Sequence, residues 1–159
     1  MIRQISAVKH LPQAHQLAYD HWLEVAKDTG VPEPDINPEL VKAMEDAGLL
    51  LTLGAFKDEE LIGYSINVLG PTFNFQHLKV CQNEGIFVAK PYRGTIGALL
   101  VKETLTAAQA KGAARVLFHA YIGTSADALF SRLRWQGRPF QAFDITYTME
   151  ISPCLPESA

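Results

Sequence analysis

Two hydrophobic periods alternate along the chain. Residues 2–5 form a short strand-like run. Across residues 11–29, Ala14, Leu17, Ala18, Trp22, Val25 and Ala26 recur near every 3.6 positions, which predicts an amphipathic helix closed by Gly30. Pro32 and Pro34 stiffen the connector that follows, because each fixes its own φ and restricts the residue before it. Asn37, Pro38 and Glu39 read as a helix start: a cap, a first-turn proline, and an acid at the positive end. That helix runs to residue 47 and stops at Gly48. Residues 49–56 and 61–69 are apolar runs on either side of the polar turn 57–60, and they predict a hairpin ended by Gly70 and Pro71. Residues 80–89 predict a strand, 90–94 a turn, 96–111 a helix closed by Gly112, and 114–121 another strand. Thr124 or Ser125 can cap a helix over 126–135. Phe143, Ile145, Tyr147, Met149 and Ile151 alternate, which predicts a last strand over 140–151 and a frayed tail over 152–159.

A hairpin-rich first half and a βαβ second half define an α/β class, more strictly α+β. The expected architecture is one domain over residues 1–159, with a central mixed sheet and helices on both faces. A chain of 159 residues, 48% hydrophobic and 19% charged, buries enough surface to fold without disulfides or metal. The net charge of −3 argues against a strongly basic nucleic-acid module. Cys81 and Cys154 lack any CxxC spacing, which argues against a disulfide scaffold and a structural zinc site. No metal ligand set is assigned. No signal-peptide or membrane-spanning run is visible, so a cytoplasmic protein is expected.

The segment 84–100 carries the candidate chemistry. A strand through Ile86, Phe87 and Val88 ends in a turn with Arg93, Gly94 and Thr95, and a helix opens at Ile96, Gly97 and Ala98. A helix N-terminus leaves unpaired N–H groups and partial positive charge, so it attracts anions. Glycines let a ligand approach the backbone, and an arginine suits phosphate oxygens. These residues are a candidate pyrophosphate cradle, or else a plain polar strand-to-helix turn. The loop is neither a Walker A nor a GxGxxG sequence.

With those residues in view, the chain resembles the GNAT superfamily of N-acetyltransferases. The family's acetyl-CoA motif, Gln/Arg-x-x-Gly-x-Gly/Ala, follows a strand ending in Val-x-Pro-x-Tyr-Arg-Gly. Ile86, Phe87, Val88, then Tyr92, Arg93, Gly94 and Ala98 stand in the matching places. Pro91 falls one position late, and Ile96 replaces the motif's first glycine. A second block, Ala126 to Trp135, resembles the family's Ala-x-x-Leu-Tyr-x-x-Leu-Gly-Phe. Here Phe130 replaces a tyrosine that often protonates the departing thiolate, and Arg134 replaces the glycine. The stretch from His77 through Gly94 also looks like a phage-encoded subgroup.

The resemblance implies acetyl-CoA as cosubstrate, an amine-bearing acceptor, and acetyl transfer by direct attack. Its implied cofactor residues are Ile86, Phe87, Val88, Arg93, Gly94, Thr95, Ile96, Gly97 and Ala98. Glu84 is the first candidate base, at a position where the family often has a carboxylate; partial burial would tune it, and a solvated strand-start Glu is the other reading. His77 is the second candidate base, or a surface loop residue. Tyr121 is the candidate thiolate acid, or a packed strand residue, and His119 reads as a core histidine. Phe73, Phe75 and His77 wall an acceptor pocket, join the core, or form a homodimer contact. The alternative function is a catalytically weak binding or regulatory protein of the same fold, supported by Phe130, Ile96 and Arg134.

Overall fold

The computed structural model describes residues 1–73 and 75–142. Five strands form one sheet in the order β1 (Ile2–Gln4), β2 (Leu50–Lys57), β3 (Glu60–Thr72), β4 (Phe75–Val88) and β5 (Arg115–Leu117). The first four are antiparallel neighbours, and β4 and β5 run parallel. The mixed sheet expected from the sequence is therefore present.

Helices cover both faces. On one, α1 (Ala7–Val25) lays Leu17 against Phe56, Leu61, Tyr64 and Phe87. On the other, α3 (Thr95–Ala110) lays Leu100 and Ala108 against Leu51, Leu53, Leu69, Cys81 and Val88. Burying a large aliphatic side chain contributes about 1.5–3 kcal/mol, so these two clusters hold the sheet between its helices. α2 (Pro38–Asp46) carries the cap expected of it: Asn37 Oδ1 accepts from the N–H groups of Glu39 and Leu40 at 3.0 and 3.1 Å.

Several boundaries differ from the sequence reading. α1 begins at Ala7, four residues early, and carries Pro12 inside it. Ser6 caps it, and Glu45 of α2 accepts from the Ala7 and Val8 N–H groups at 2.6 and 3.3 Å. That anchor lies 38 residues away in sequence, so no local pattern announces it. β4 begins at Phe75 rather than residue 80, because the β3–β4 hairpin continues through Gly70 and Pro71 to Thr72. Pro71 is tolerated there because β2 pairs with β3 only as far as Val68. β5 spans three residues, not eight, and α4 (Ser125–Phe130) ends five residues short of the predicted stop. A small separate hairpin of β6 (Arg134–Trp135) and β7 (Arg138–Pro139) follows. Residues 140–142 are not strand, and the remainder of the last predicted strand lies outside the described residues.

No described helix is long and apolar enough to cross a membrane.

Candidate active site

The sheet opens at one place. β4 and β5 pair only through Val80–Arg115, Cys81–Val116 and Gln82–Leu117. Beyond Gln82, β4 runs on to Val88 with no partner on that side among the described residues. A register break sits at the mouth of this opening: Asn67 pairs with Asn83 and Ile66 with Gly85, so Glu84 has no partner on β3. Such a bulge bends the strand and interrupts its ladder.

The bulge also decides which backbone groups face the opening. The Ala89 N–H donates to Ile62 O across the β3 side at 2.9 Å. Antiparallel strands alternate the direction of their polar groups, so Phe87 and Gly85 face β3 as well. Ile86 and Val88 then direct their N–H and C=O groups toward the opening. The Val88 carbonyl bears this out by accepting from Arg93 Nε at 2.9 Å. Of the three strand residues expected to meet a cofactor, Ile86 and Val88 offer backbone to it. Phe87 instead turns a buried ring toward α1.

The strand leads directly into the turn expected to bind an anion. Lys90–Tyr92 form one turn of 3-10 helix, and Gly94 is the N-cap of α3 with φ +116°. Only glycine adopts that backbone without strain. No side chain caps this helix, so the first-turn N–H groups of Thr95, Ile96 and Gly97 lack partners in the helix. Ala98 lies a full turn in, where its N–H belongs to the helical ladder. A Cβ built on Gly97 meets only Leu129 Cδ2, at 3.7 Å, so packing does not require that glycine.

Arg93, expected to meet the cofactor, is engaged within the chain. Its guanidinium grips Glu24 of α1 with two hydrogen bonds, at 2.8 and 2.6 Å, and lies 5.3 Å from the Phe87 ring centroid. Its charge is committed to a carboxylate rather than left for phosphate. The sequence could not show this, because Glu24 stands 69 positions away.

The candidate acid and base residues are scattered. Glu84 is exposed, which removes the burial expected to tune it, but its position at the bulge puts it beside the open edge. His77 is exposed and bonds Gln76, seven residues before Glu84. At about 3.3 Å per strand residue it lies roughly 20 Å from the bulge, at the far end of β4. Phe73 is fully exposed at the hairpin tip, so it is not core. Tyr121 is 44% exposed in the segment leaving β5, not in a packed strand. His119 is also exposed rather than core. Phe130 packs with Phe118 and Phe140, at centroid distances of 5.0 and 5.9 Å, in an apolar plug.

Two residues escaped the sequence reading. His21 of α1 stacks on Phe87 at 4.9 Å, and its Nδ1 lies 3.1 Å from the Tyr64 hydroxyl. Burial lowers the His21 pKa; Glu24 opposes that shift and Arg93 adds to it. Burial raises the Tyr64 pKa, so the phenol stays protonated. The Tyr64 ring also lies over Gly85, where a Cβ would come within 3.4 Å of it. The clue was present in the helical period, since His21 lies four residues after the buried Leu17.

An open strand edge beside a helix N-terminus without a side-chain cap is the geometry expected of a class of proteins that seat an extended, phosphate-bearing cofactor. The family follows from comparison. The pattern of the Acetyltransferase (GNAT) family matches residues 12–133, and the chain belongs to that family. No curated protein matches the chain significantly. Solved structures share the fold. The ribosomal-protein-alanine N-acetyltransferase from Brucella melitensis biovar Abortus 2308 is 15% identical with a TM-score of 0.68, over 96% of this chain and 99% of that one. An aminoglycoside acetyltransferase from an uncultured soil metagenomic sample, in complex with sisomicin, is 15% identical with a TM-score of 0.68, over 94% and 96%. An acetyltransferase of Trypanosoma brucei is 13% identical with a TM-score of 0.67, over 95% and 99%. The chain is thus an acetyltransferase of the GNAT family.

Proposed function

We propose that this protein transfers the acetyl group of acetyl-CoA to a primary amine by direct attack. The observation that carries the reading is the edge of β4 at Ile86 and Val88, which no strand pairs among the described residues, followed by the first-turn N–H groups of Thr95 to Gly97, which no described side chain caps. An extended pantetheine arm suits the first, and a pyrophosphate suits the second. When bound, acetyl-CoA supplies an activated thioester. The Ile86 and Val88 N–H groups are then the donors available to a carbonyl oxygen as charge builds on it. One such donor contributes about 3–4 kcal/mol to the barrier.

The acceptor nitrogen must lose a proton, and Glu84 is the carboxylate nearest the opening along β4. Tyr121 remains the candidate proton source for the departing thiolate, with water as the alternative. A covalent acetyl-cysteine route has little support: Cys81 is fully buried, and burial pushes its thiol up to about 11. The amine class of acceptor also agrees with two proteins of the same fold, a ribosomal-protein-alanine N-acetyltransferase and an aminoglycoside acetyltransferase.

A second reading, a catalytically weak binding or regulatory protein, draws on the apolar plug around Phe130. One experiment separates the two. Purified protein is incubated with acetyl-CoA and a panel of amines, and free thiol is followed. Amine-dependent thiol release supports transfer; cofactor binding without release with every amine supports the second reading.

A further inference from the structure

Beneath the bulge lies a buried polar cluster that the reaction does not explain. Ser65, Asn67 and Thr104 are fully buried, and Asn83 is 1% exposed, between the sheet and α3. The Asn83 amide nitrogen lies in a cup of four oxygens: Asn67 Oδ1 at 2.8 Å, Ile66 O at 3.1 Å, and Ser65 Oγ and Gly85 O each at 3.2 Å. Ile66 and Gly85 pair with each other immediately past the register break, so one side chain grips the backbone of both strands there. Asn67 Nδ2 carries the network to Leu51 O of β2 at 2.8 Å. The Thr104 hydroxyl, 3.0 Å from Ser65 Oγ, carries it to α3.

Stability alone does not account for this cluster. Matched polar groups replaced by apolar groups of the same shape are often nearly neutral. The Asn83 amide oxygen has no partner among the described residues, a cost that an apolar residue would avoid. What the cluster does is tie three things together: the bulge at Glu84, the open edge after it, and the helix whose first turn is expected to bind an anion.

We propose that Asn83, through Ser65, Asn67 and Thr104, is the positioning residue that holds β4 bulged and thereby sets the strand edge in register with the α3 mouth. The inference rests on the acetyl-CoA reading for its consequence, not for its geometry. Asn83 touches no substrate; it acts through the backbone of Gly85 and Ile66.

The test compares Asn83→Leu and the milder Ser65→Ala with Cys81→Ala, a buried residue of the same strand packed in the α3-facing core. Two readouts are taken on the full chain: calorimetric affinity for acetyl-CoA, and amide hydrogen exchange along β4. Asn83→Leu is expected to weaken affinity about tenfold or more, and Ser65→Ala by a smaller factor, while Cys81→Ala stays within about twofold despite a lower melting temperature. Exchange at Gly85 and Phe87, whose N–H groups face β3, is expected to quicken about tenfold in Asn83→Leu relative to β2, and to do so in Ser65→Ala to a lesser degree. If both Asn83→Leu and Ser65→Ala match Cys81→Ala in affinity and exchange, the proposal is overturned. If wild-type protein binds no acetyl-CoA, the acetyl-transfer reading fails, and exchange at Gly85 and Phe87 alone upholds or overturns the clamp.

Discussion

Glu24 and Arg93 meet in a two-pronged ion pair that pins the turn before α3 to the first helix. The pairing holds Glu24 below the usual carboxylate range, chiefly through its hydrogen bonds with Arg93. The pair is partly solvated, so its own contribution is small, about 0–1 kcal/mol. Arg93 also covers the Val88 carbonyl, which joins the end of β4 to the turn that follows it.

This arrangement changes what Arg93 substitutions should do. Glu24→Gln is expected to lower stability by less than about 1 kcal/mol. Arg93→Ala should cost more, about 1–2 kcal/mol, because Val88 O loses its donor. Neither should abolish acetyl-CoA binding, since the N–H groups of Thr95 to Gly97 remain. Melting curves and calorimetry check both. Loss of all binding in Arg93→Ala, with binding intact in Glu24→Gln, would show instead that Arg93 reaches the phosphates.

The two glycines of the turn should respond in opposite ways. Gly94 holds φ +116°, a backbone that side chains rarely adopt, so Gly94→Ala should destabilise by about 1–3 kcal/mol. Gly97 lies within a helical turn with room for a Cβ, and alanine there should raise stability by up to about 1 kcal/mol. If the first-turn N–H groups cradle the pyrophosphate, the same Gly97→Ala change should weaken acetyl-CoA binding while raising the melting temperature. Unchanged affinity would place the phosphates elsewhere.

The contrast between Gly94 and Arg93 shows what the sequence could and could not reveal. Gly94, the α3 start and the strand before it are local features, readable from spacing. So are the Asn37 cap and the alternation of helices and strands. Arg93's partner, Glu45's grip on α1 and the bulge at Glu84 are long-range facts. Each depends on which segments meet across the fold, and a carboxylate on one helix carries no mark of its partner. Likewise the Tyr64–His21 contact joins residues 43 apart, and each looks like an ordinary amphipathic position on its own.

A pH dependence follows from His21. Burial depresses its folded-state pKa below 6.5, with Glu24 on its own helix opposing and Arg93 from the turn reinforcing, while the Tyr64 phenol faces it from β3. Below pH 6.5 the unfolded chain therefore binds a proton that the folded chain refuses. Stability is full above 6.5 and falls as pH drops through the lowered value. Glu24 and Glu45, both held below 4.5, add a second loss at lower pH. Chemical denaturation between pH 7 and about 2 should show the two stages. His21→Asn should remove the first stage and keep the second; a slope unchanged by that substitution would mean that His21 is charged in the folded protein.

Glu84 supplies the sharpest test of the chemistry. The register break leaves it without a partner on β3, at the point where the edge of β4 opens. Glu84→Gln keeps the length and shape of the side chain and removes its capacity to take a proton. A positioned base contributes about 10²–10⁴ in rate, so turnover should fall by that factor. Acetyl-CoA affinity should hardly move, because neither the Ile86 and Val88 N–H groups nor the α3 first turn has changed. The acid-side fall in kcat should disappear with the carboxylate. Because Glu84 is exposed, the melting temperature should also stay put, so a loss of rate cannot be a loss of fold. Should the glutamine variant keep wild-type turnover and pH profile, the proton goes directly to water or to the His21–Tyr64 pair across Gly85. His21→Asn and Tyr64→Phe, assayed in the same way, then decide between those two.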